Sequence, residues 1–233
     1  MAPEAVVAVR AYLRLKSDIV AGRFSPANLL VERKIAAEYD MSIVPLRDAA
    51  QRLLGEGLIE AAPGGGYRLP VVSEAGLKDL YAWHCALIGL ALKHQREERS
   101  RETVSTRPPA ALPIELEPWA ATGLFRSLGD ATGAGELARA ISSANDRLHP
   151  ARLVEGLVLD QSVEELGALR RSLEKESGRQ TAKLIRAYHR RRIRHAGKIV
   201  AVLSNEDIRR FLDQVRASAK SDSDGARGSP VDS

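Results

Sequence analysis

The fold is decided by residues 42–59, which read SIVPLRDAAQRLLGEGLI. The apolar residues of this stretch recur at helical spacing and predict one buried face made of Leu46, Ala49, Ala50, Leu53 and Leu54. Pro45 suits the first turn of a helix, where its missing N–H leaves no bond unmade, and Gly57 suits the residue after the helix end. We therefore predict a helix over residues 43–56.

The opposite face of this helix carries the side chains that could read DNA. The outward positions are Val44, Arg47, Asp48, Gln51 and Arg52. Arg47 and Gln51 lie four residues apart on one side, and both residue types form bidentate hydrogen bonds with base edges. Ser42 stands at the N-cap, where free backbone N–H groups can also hold a phosphate. The alternative is an ordinary solvated helix face, because outward Arg and Gln are common.

Flanking segments extend this helix into a domain. Periodicity predicts further helices over residues 6–21 and 30–39, and two short extended runs around Pro63-Gly64-Gly65-Gly66 predict a β-hairpin over residues 58–69. Three helices followed by a hairpin is the order of a winged helix-turn-helix. In that arrangement Arg33 and Lys34 would contact the DNA backbone, and the glycine-rich tip could approach a minor groove.

The rest of the chain predicts helices and no strand. After a hinge at residues 70–73, helices are predicted over 74–99, 118–128, 135–149, 162–176, 179–203 and 205–219, with a proline-containing loop over 100–117. The fold class is mainly α: a winged helix-turn-helix domain at 5–70, an all-helical bundle at 74–216, and a disordered tail at 218–233 rich in Ser, Asp and Gly.

Composition and missing motifs narrow the function. The chain has 233 residues, a net charge of +5, 44% apolar and 4% aromatic residues. Cys85 is the only cysteine, which fits a reducing compartment, and Leu80–Leu92 is too short an apolar run to span a bilayer. Phosphate-binding, dinucleotide-binding and nucleophile-elbow motifs are absent. We expect a cytoplasmic protein without a membrane segment, a cofactor or enzymatic activity.

Residues 12–69 resemble the DNA-binding domain of the GntR family of bacterial regulators. The resemblance rests on LVERKIA at 30–36, on Ser42 followed by PLRDA at 45–49, on RL at 52–53, on EGLI at 56–59, and on Pro63 and Gly66. It implies DNA contacts by Arg33, Ser42, Arg47 and Gly66, to which the outward helix face adds Val44 and Gln51. The residue after the serine, usually Arg in the family, is Ile43 here, so the operator sequence does not follow from the resemblance.

Residues 77–212 are similar to the all-helical FCD-type sensor domain of the FadR-like subfamily. That similarity implies a divalent metal held by one Asp and three His, with an Arg on the first helix. The corresponding residues here are Thr122, Arg126, Leu166 and His189, and His84 replaces the Arg. One histidine does not make a metal site, so we expect no metal. His84, Arg126 and His189 are the candidates for lining an effector pocket.

A basic run at residues 186–195 carries five arginines and no acidic residue. It could form a second nucleic-acid contact or an anion pocket. Alternatively, Ile185, Tyr188, Ile193, Ile199 and Val200 form a buried stripe while the arginines are solvated or paired with Glu164, Glu165, Glu174 or Glu176. The second interpretation is the more typical of a basic run on a helix.

These features favour a homodimeric, sequence-specific regulator, expected to be a repressor, that binds a double-stranded DNA operator and associates with the nucleoid. A small-molecule effector in the helical domain would change the spacing of the two recognition helices. The alternative is a constitutive DNA-binding or protein-interaction module whose helical domain senses nothing.

Overall fold

The computed structural model describes residues 3–24, 28–101, 117–175 and 178–205. Over these residues the chain forms eight helices and one three-stranded sheet. The N-terminal elements are α1 (Pro3–Val20), β1 (Leu29–Leu30), α2 (Glu32–Glu38), α3 (Ile43–Gly55), β2 (Glu60–Ala61) and β3 (Tyr67–Arg68). The C-terminal helices are α4 (Glu74–Arg101), α5 (Glu117–Asp130), α6 (Gly135–Glu155), α7 (Ser162–Glu174) and α8 (Gly178–Ser204).

The N-terminal elements form the winged helix-turn-helix that the sequence predicts. Helix α1 packs against α3, and the apolar face of α3 is buried with Leu15, Ile19 and Ile35 in one hydrophobic core. The sheet is antiparallel in the order β1-β3-β2, with Leu30 opposite Tyr67 and Tyr67 opposite Ala61. The mainly helical fold class with a small wing is therefore confirmed.

Two of the predicted boundaries that differ from the structure have a clear physical reason. Helix α2 begins at Glu32 rather than at residue 30, because Leu29 and Leu30 pair with β3 as an extra strand. Helix α6 continues through Pro150 to Glu155 instead of ending at His149. Leu148, Ala151 and Val154 are all buried, so packing along this helix outweighs the hydrogen bond that proline removes.

The C-terminal helices form a bundle in which α8 lies along α4, and α6 packs against α4 and α5. Its core is built from aliphatic and aromatic residues of all five helices, among them Ile88, Phe125, Ile141, Leu169 and Tyr188. The predicted helix at 205–219, apart from its first residue, and the predicted tail at 218–233 lie outside the described residues. Most of the predicted loop at 100–117 also lies outside them.

A polar cluster joins the two domains. The Lys16 ammonium group lies 2.7 Å from Glu56 Oε2 at the end of α3 and 2.8 Å from Asp146 Oδ2 on α6. Asp146 also pairs with Arg126 at 2.8 Å, and the Ser143 hydroxyl donates to the Glu56 carbonyl at 3.3 Å. We call these five residues the interdomain cluster.

Beside the interdomain cluster lies an apolar cleft of about 420 Å³. The end of α1, the hinge after β3, α6 and the end of α8 line it. None of the helices in the described ranges combines the length and the apolar character that crossing a membrane requires.

Candidate nucleic-acid interface

Helix α3 presents one exposed face to solvent. Val44 is 63% exposed, and Arg47, Asp48, Gln51 and Arg52 are all exposed, whereas the predicted inner positions Leu46, Ala49, Ala50 and Leu53 are buried. The partition follows from the 3.6-residue period, because side chains three and four apart share one side of the helix. The predicted inner and outer faces are thus confirmed, with Leu54 partly buried at the edge.

The two arginines of this face have different surroundings. Arg47 lies 3.5 Å from Glu32 on α2 in an exposed ion pair, which contributes little and can exchange for another acceptor. Arg52 stacks over the Tyr12 ring at 3.7 Å and lies 3.5 Å from Glu56 Oε1, inside its own domain. Arg47 is therefore the cation of α3 that is free to bind a base, and Arg52 is held against α1.

Gln51 links the helix to the wing. Its side-chain amide donates a hydrogen bond to the Tyr67 hydroxyl on β3. This contact fixes the wing against the exposed face of α3, a relation that sequence spacing did not indicate. To read a base, Gln51 would use its side-chain carbonyl oxygen, or its amide would give up the hydrogen bond to Tyr67 and donate to a base edge instead.

The start of α3 is open to an anion. Ser42 occupies the predicted N-cap with extended dihedral angles, φ −69° and ψ 162°, and its side chain makes no capping hydrogen bond. No acidic residue lies in the first turn of the helix. The exposed hydroxyl and the first N–H groups of the helix can therefore bind a phosphate without like-charge repulsion.

The wing ends in three glycines with left-handed backbone. Gly64, Gly65 and Gly66 have φ values of 91°, 101° and 81°, which only glycine adopts readily. The turn is closed because the Ala62 amide donates to the Gly66 carbonyl and the Gly65 amide to the Ala62 carbonyl, both at 3.0 Å. A tip without side chains lets the backbone approach a groove closely. Arg33 and Lys34 on α2 are also exposed, as predicted for backbone contacts.

In the helical domain, the fold brings two of the three predicted pocket residues together. His84 on α4 and His189 on α8 are both fully buried, and His84 Nδ1 lies 2.8 Å from His189 Nε2. Desolvation lowers the pKa of His189 to about 3, and it lowers the pKa of His84 well below its usual value, with Arg152 adding to both shifts. Both rings are therefore neutral at physiological pH.

Arg126 does not join this pair. Its side chain is 47% exposed and its guanidinium binds Asp146 in the interdomain cluster. The sequence alignment to the sensor family placed it near the histidines, whereas the structure gives it a part in holding the two domains together.

The residues at the family's metal positions do not fit a divalent cation. His189 uses both ring nitrogens, Nε2 with His84 and Nδ1 with the Ile185 carbonyl at 2.7 Å. Thr122 accepts a hydrogen bond from Arg152 at 2.8 Å, and Arg126 brings a positive charge where a ligand would be needed. No group of three potential ligands occurs within the described ranges. A metal held as in the sensor family would lack ligands here.

The basic run on α8 is partly buried, which the sequence did not show. Arg192 is 2% exposed and binds Glu155 at 2.8 Å and Glu165 at 2.7 Å. The second interpretation of the run, a buried apolar stripe with arginines that are solvated or paired with acids, named Glu165 among those acids. It is also right for Ile185, Tyr188 and Ile199, which are buried. Arg192 stands four residues after Tyr188 and seven before Ile199, on the same buried stripe. Its burial was not predicted, because a charged side chain is rarely buried without partners and its two partners lie on other helices.

Comparisons with known proteins agree with the N-terminal geometry. Residues 7–69 match the sequence profile of the family described as bacterial regulatory proteins, gntR family. A 76-residue segment is 32% identical to the HTH-type transcriptional repressor GlaR of Escherichia coli K12 and covers 33% of this chain. The match spans 34% of that repressor's length.

Two solved structures resemble the whole fold. A GntR transcriptional regulator from Rhodococcus sp. RHA1 has a TM-score of 0.60 at 16% identity, over 81% of this chain and 96% of its own. E. coli McbR/YncC has a TM-score of 0.58 at 15% identity, over 82% of this chain and 97% of its own. At such identities the likeness concerns the fold alone. Residues 7–69 are therefore similar in sequence to the gntR family, and the chain shares its fold with these two structures.

Proposed function

We propose that the chain is a sequence-specific transcription regulator of the GntR type that places helix α3 in the major groove of an operator. The observation that carries this proposal is the exposed face of α3, where Ser42, Val44 and Arg47 stand beside a glycine-tipped wing. A recognition helix needs this combination, because its N-terminal turns must reach base edges while the rest of the domain holds the backbone.

Each site residue has a distinct role in the proposal. Arg47 leaves Glu32 and binds a guanine through two parallel hydrogen bonds, and Gln51 adds an adenine contact. Val44 packs against a thymine methyl group. Ser42 and Arg33 bind phosphates and set the position of the helix in the groove. The backbone of Gly66 approaches the minor groove beside the major-groove contact.

The regulator acts as a homodimer, because two half-sites one helical turn apart give a helix-turn-helix protein enough contacts for specificity. Helix α4 offers a surface for the second copy. Trp83 and Leu90 are each 53% exposed, and together with the exposed Ala86 they form an apolar stripe along one side of that helix. Exposed apolar surface of this kind is typical of an interface.

Repression is the direction we propose, by analogy with the repressor to which a 76-residue segment of the chain is 32% identical. Binding to a chromosomal operator places the protein in the cytoplasm at the nucleoid. The sequence similarity of the helical domain to the FCD type of the FadR-like subfamily is part of the same proposal, and it concerns the fold of that domain rather than its metal.

Control by an effector is the finer part of the proposal. Helix α6 carries Asp146 of the interdomain cluster, so a ligand in the helical domain that shifts α6 would also move the DNA-binding domain. His84, His189 and Arg126 remain the candidate residues for that response. A constitutive module is favoured instead by the closed His84–His189 pair, whose contact leaves His189 without a free ring nitrogen.

Thermal unfolding with organic acids separates the two alternatives, since a ligand of the folded state raises the melting temperature by mass action. A saturable rise with one acid, lost in the His84→Phe variant, supports effector control. No rise with any acid at millimolar concentration supports the constitutive module.

The DNA-binding claim is tested by selecting sites from random duplexes with the full chain, followed by hydroxyl-radical footprinting. The expected result is one enriched pseudo-palindrome with two protected half-sites about 10 base pairs apart, centre to centre. Enrichment of no motif, or protection that does not repeat, would overturn the claim. A Leu90→Glu variant that becomes monomeric and loses one half-site would support the dimer surface on α4.

A further inference from the structure

The apolar cleft between the two domains is only partly covered by the described residues. It is lined by the end of α1, the hinge at residues 70–73, α6 and the end of α8. Within the described ranges, the hinge residue Val71 is 62% exposed although it lines this cleft, and Pro70, Val72 and Leu203 are half-buried. Apolar side chains that lie together on an open concave surface are typical of a contact site. The cleft is therefore suited to an apolar occupant.

The chain leaves α8 at the rim of this cleft. Leu203 and Ser204, the last two residues of α8, both line it. Asn205 lies beyond the helix and is exposed, and residues 206–233 follow outside the described ranges. Four residues of chain span at most about 14 Å, so Ile208 lies within that distance of Ser204. The segment after α8 therefore starts at the cleft and its first residues stay near it.

The sequence of this segment predicts an amphipathic helix. Its large apolar residues recur at the spacing i, i+3, i+4 and i+7, which places them on one side of a helix. They are Ile208, Phe211, Leu212 and Val215. Asn205 is a preferred N-cap residue, and Glu206 and Asp207 fall in the first turn, where the helix dipole favours acids. Because so short a helix is marginal in water, its apolar side needs a surface to pack against.

We propose that residues 206–219 form an amphipathic helix whose apolar side docks in the interdomain cleft. The cleft, with a volume of about 420 Å³, has room for apolar side chains, and its walls include Ile19 of α1, Leu77 of α4 and Val154 of α6. Because the segment is tethered at the rim, its effective concentration at the cleft is on the order of mM, which favours it over a second copy or a free molecule.

A helix docked there restrains the two domains relative to each other. Ile19 and the hinge at residues 70–73 belong to the DNA-binding side of the cleft, and Val154 and Leu203 belong to the helical domain. An occupant of the cleft therefore touches both domains and the hinge between them, and it adds an apolar contact to the polar one made by the interdomain cluster. This inference does not depend on DNA binding.

Crosslinking in the full chain tests where the segment docks. In a Cys85→Ser background, which leaves no other thiol, Leu212→Cys is combined either with Val71→Cys in the cleft or with Val163→Cys on α7. Val163 is the matched control, because it is also a valine, is 56% exposed and does not line the cleft. A short bis-maleimide is expected to join positions 71 and 212 within one chain about tenfold faster than positions 163 and 212.

Hydrogen exchange measures how strongly the segment docks. Phe211→Gln removes the largest apolar side chain of the segment, so the protection of the amides of residues 206–219 should fall about tenfold or more. Arg210→Gln introduces the same residue on the opposite side of the predicted helix. It should change the protection by no more than about twofold.

Preferential joining of positions 71 and 212 within one chain, with protection lost in Phe211→Gln alone, supports the proposal. Equal joining to positions 71 and 163, or equal protection in the two glutamine variants, would overturn it. Joining between two chains would overturn it in favour of a second copy in the cleft. Thiols at 71 and 212 that react singly but do not join would leave the cleft to a molecule from solution. The crosslinked chains keep Phe211, so this test holds even if Phe211→Gln does not fold.

Discussion

Replacing Lys16 by Met tests whether the interdomain cluster holds the two domains together. Lys16 lies between Glu56 of the DNA-binding domain and Asp146 of the helical domain, at 2.7 Å and 2.8 Å. Burial alone would lower the pKa of Lys16, but hydrogen bonds to both carboxylates outweigh it and raise the pKa above the usual value. The ammonium group is therefore charged, and its removal leaves Asp146, 1% exposed, with one cation fewer.

The size of the loss follows from the exposure of the partners. Removing one member of a fully buried ion pair costs about 3–5 kcal/mol. Lys16 keeps 20% of its side chain exposed and Arg126 still pairs with Asp146, so the loss in unfolding free energy should be smaller. We expect Lys16→Met to lower it by ~2 kcal/mol, with a coupling of ~1–2 kcal/mol to Asp146→Asn in a double-mutant cycle.

The assay is urea unfolding followed by circular dichroism, with Lys78→Met as the matched control. Lys78 pairs with Glu74 at 2.6 Å on the exposed side of α4, four residues apart, so its loss should cost no more than ~0.5 kcal/mol. If Lys16→Met and Lys78→Met were equally stable, or if the cycle showed no coupling, the reasoning about the interdomain cluster would be refuted.

Two further predictions concern the buried histidines and the wing. His84 and His189 stay neutral in the folded state because their pKa values are lowered. In the unfolded chain both histidines take up protons below about pH 6.5. Each histidine should therefore lower the free energy of unfolding by ~1.4 kcal/mol for every pH unit of acidification between about pH 6.5 and 5. Urea unfolding at pH 7 and pH 5 measures this, and a slope that His189→Gln does not reduce would contradict it. Gly66→Ala should lower stability by ~1–2 kcal/mol, because φ is 81° and a Cβ would lie 3.2 Å from Leu29 Cδ2. Gly55→Ala, in open space at the end of α3, should be neutral or stabilising, and equal effects of the two substitutions in thermal unfolding would count against the account of the wing.

Local patterns were enough to predict helix α3. Its apolar residues repeat at helical spacing, Pro45 and Gly57 mark its ends, and the structure places it over Ile43–Gly55. Strand β1 could not be predicted in this way, because two residues carry no period and Leu30 is extended only through its pairing with Tyr67, far along the chain. The contact between Gln51 and Tyr67 depends on that same arrangement.

The polar core of the helical domain was less predictable for a related reason. His84 and His189 are 105 residues apart, so no helical spacing joins them, and only the packing of α4 against α8 does. Arg192 lies at helical spacing from the buried Tyr188 and Ala196, but burying an arginine also requires carboxylate partners, and these come from other helices. Its partner Glu165 on α7 was among the several acids named from the sequence, whereas Glu155 on α6 was not.

The central claim, that the exposed face of α3 reads base sequence, is tested most directly by comparing Arg47→Ala with Arg52→Ala on the selected operator and on a scrambled duplex. Both variants remove one exposed arginine of the same helix, but Arg52 stacks on Tyr12 within its own domain. Mobility shifts at two salt concentrations should show Arg47→Ala losing ~1–3 kcal/mol of operator affinity and its preference over the scrambled duplex, while Arg52→Ala keeps that preference. Equal losses for both variants on both duplexes would mean that α3 contributes charge rather than base recognition, and would contradict the account.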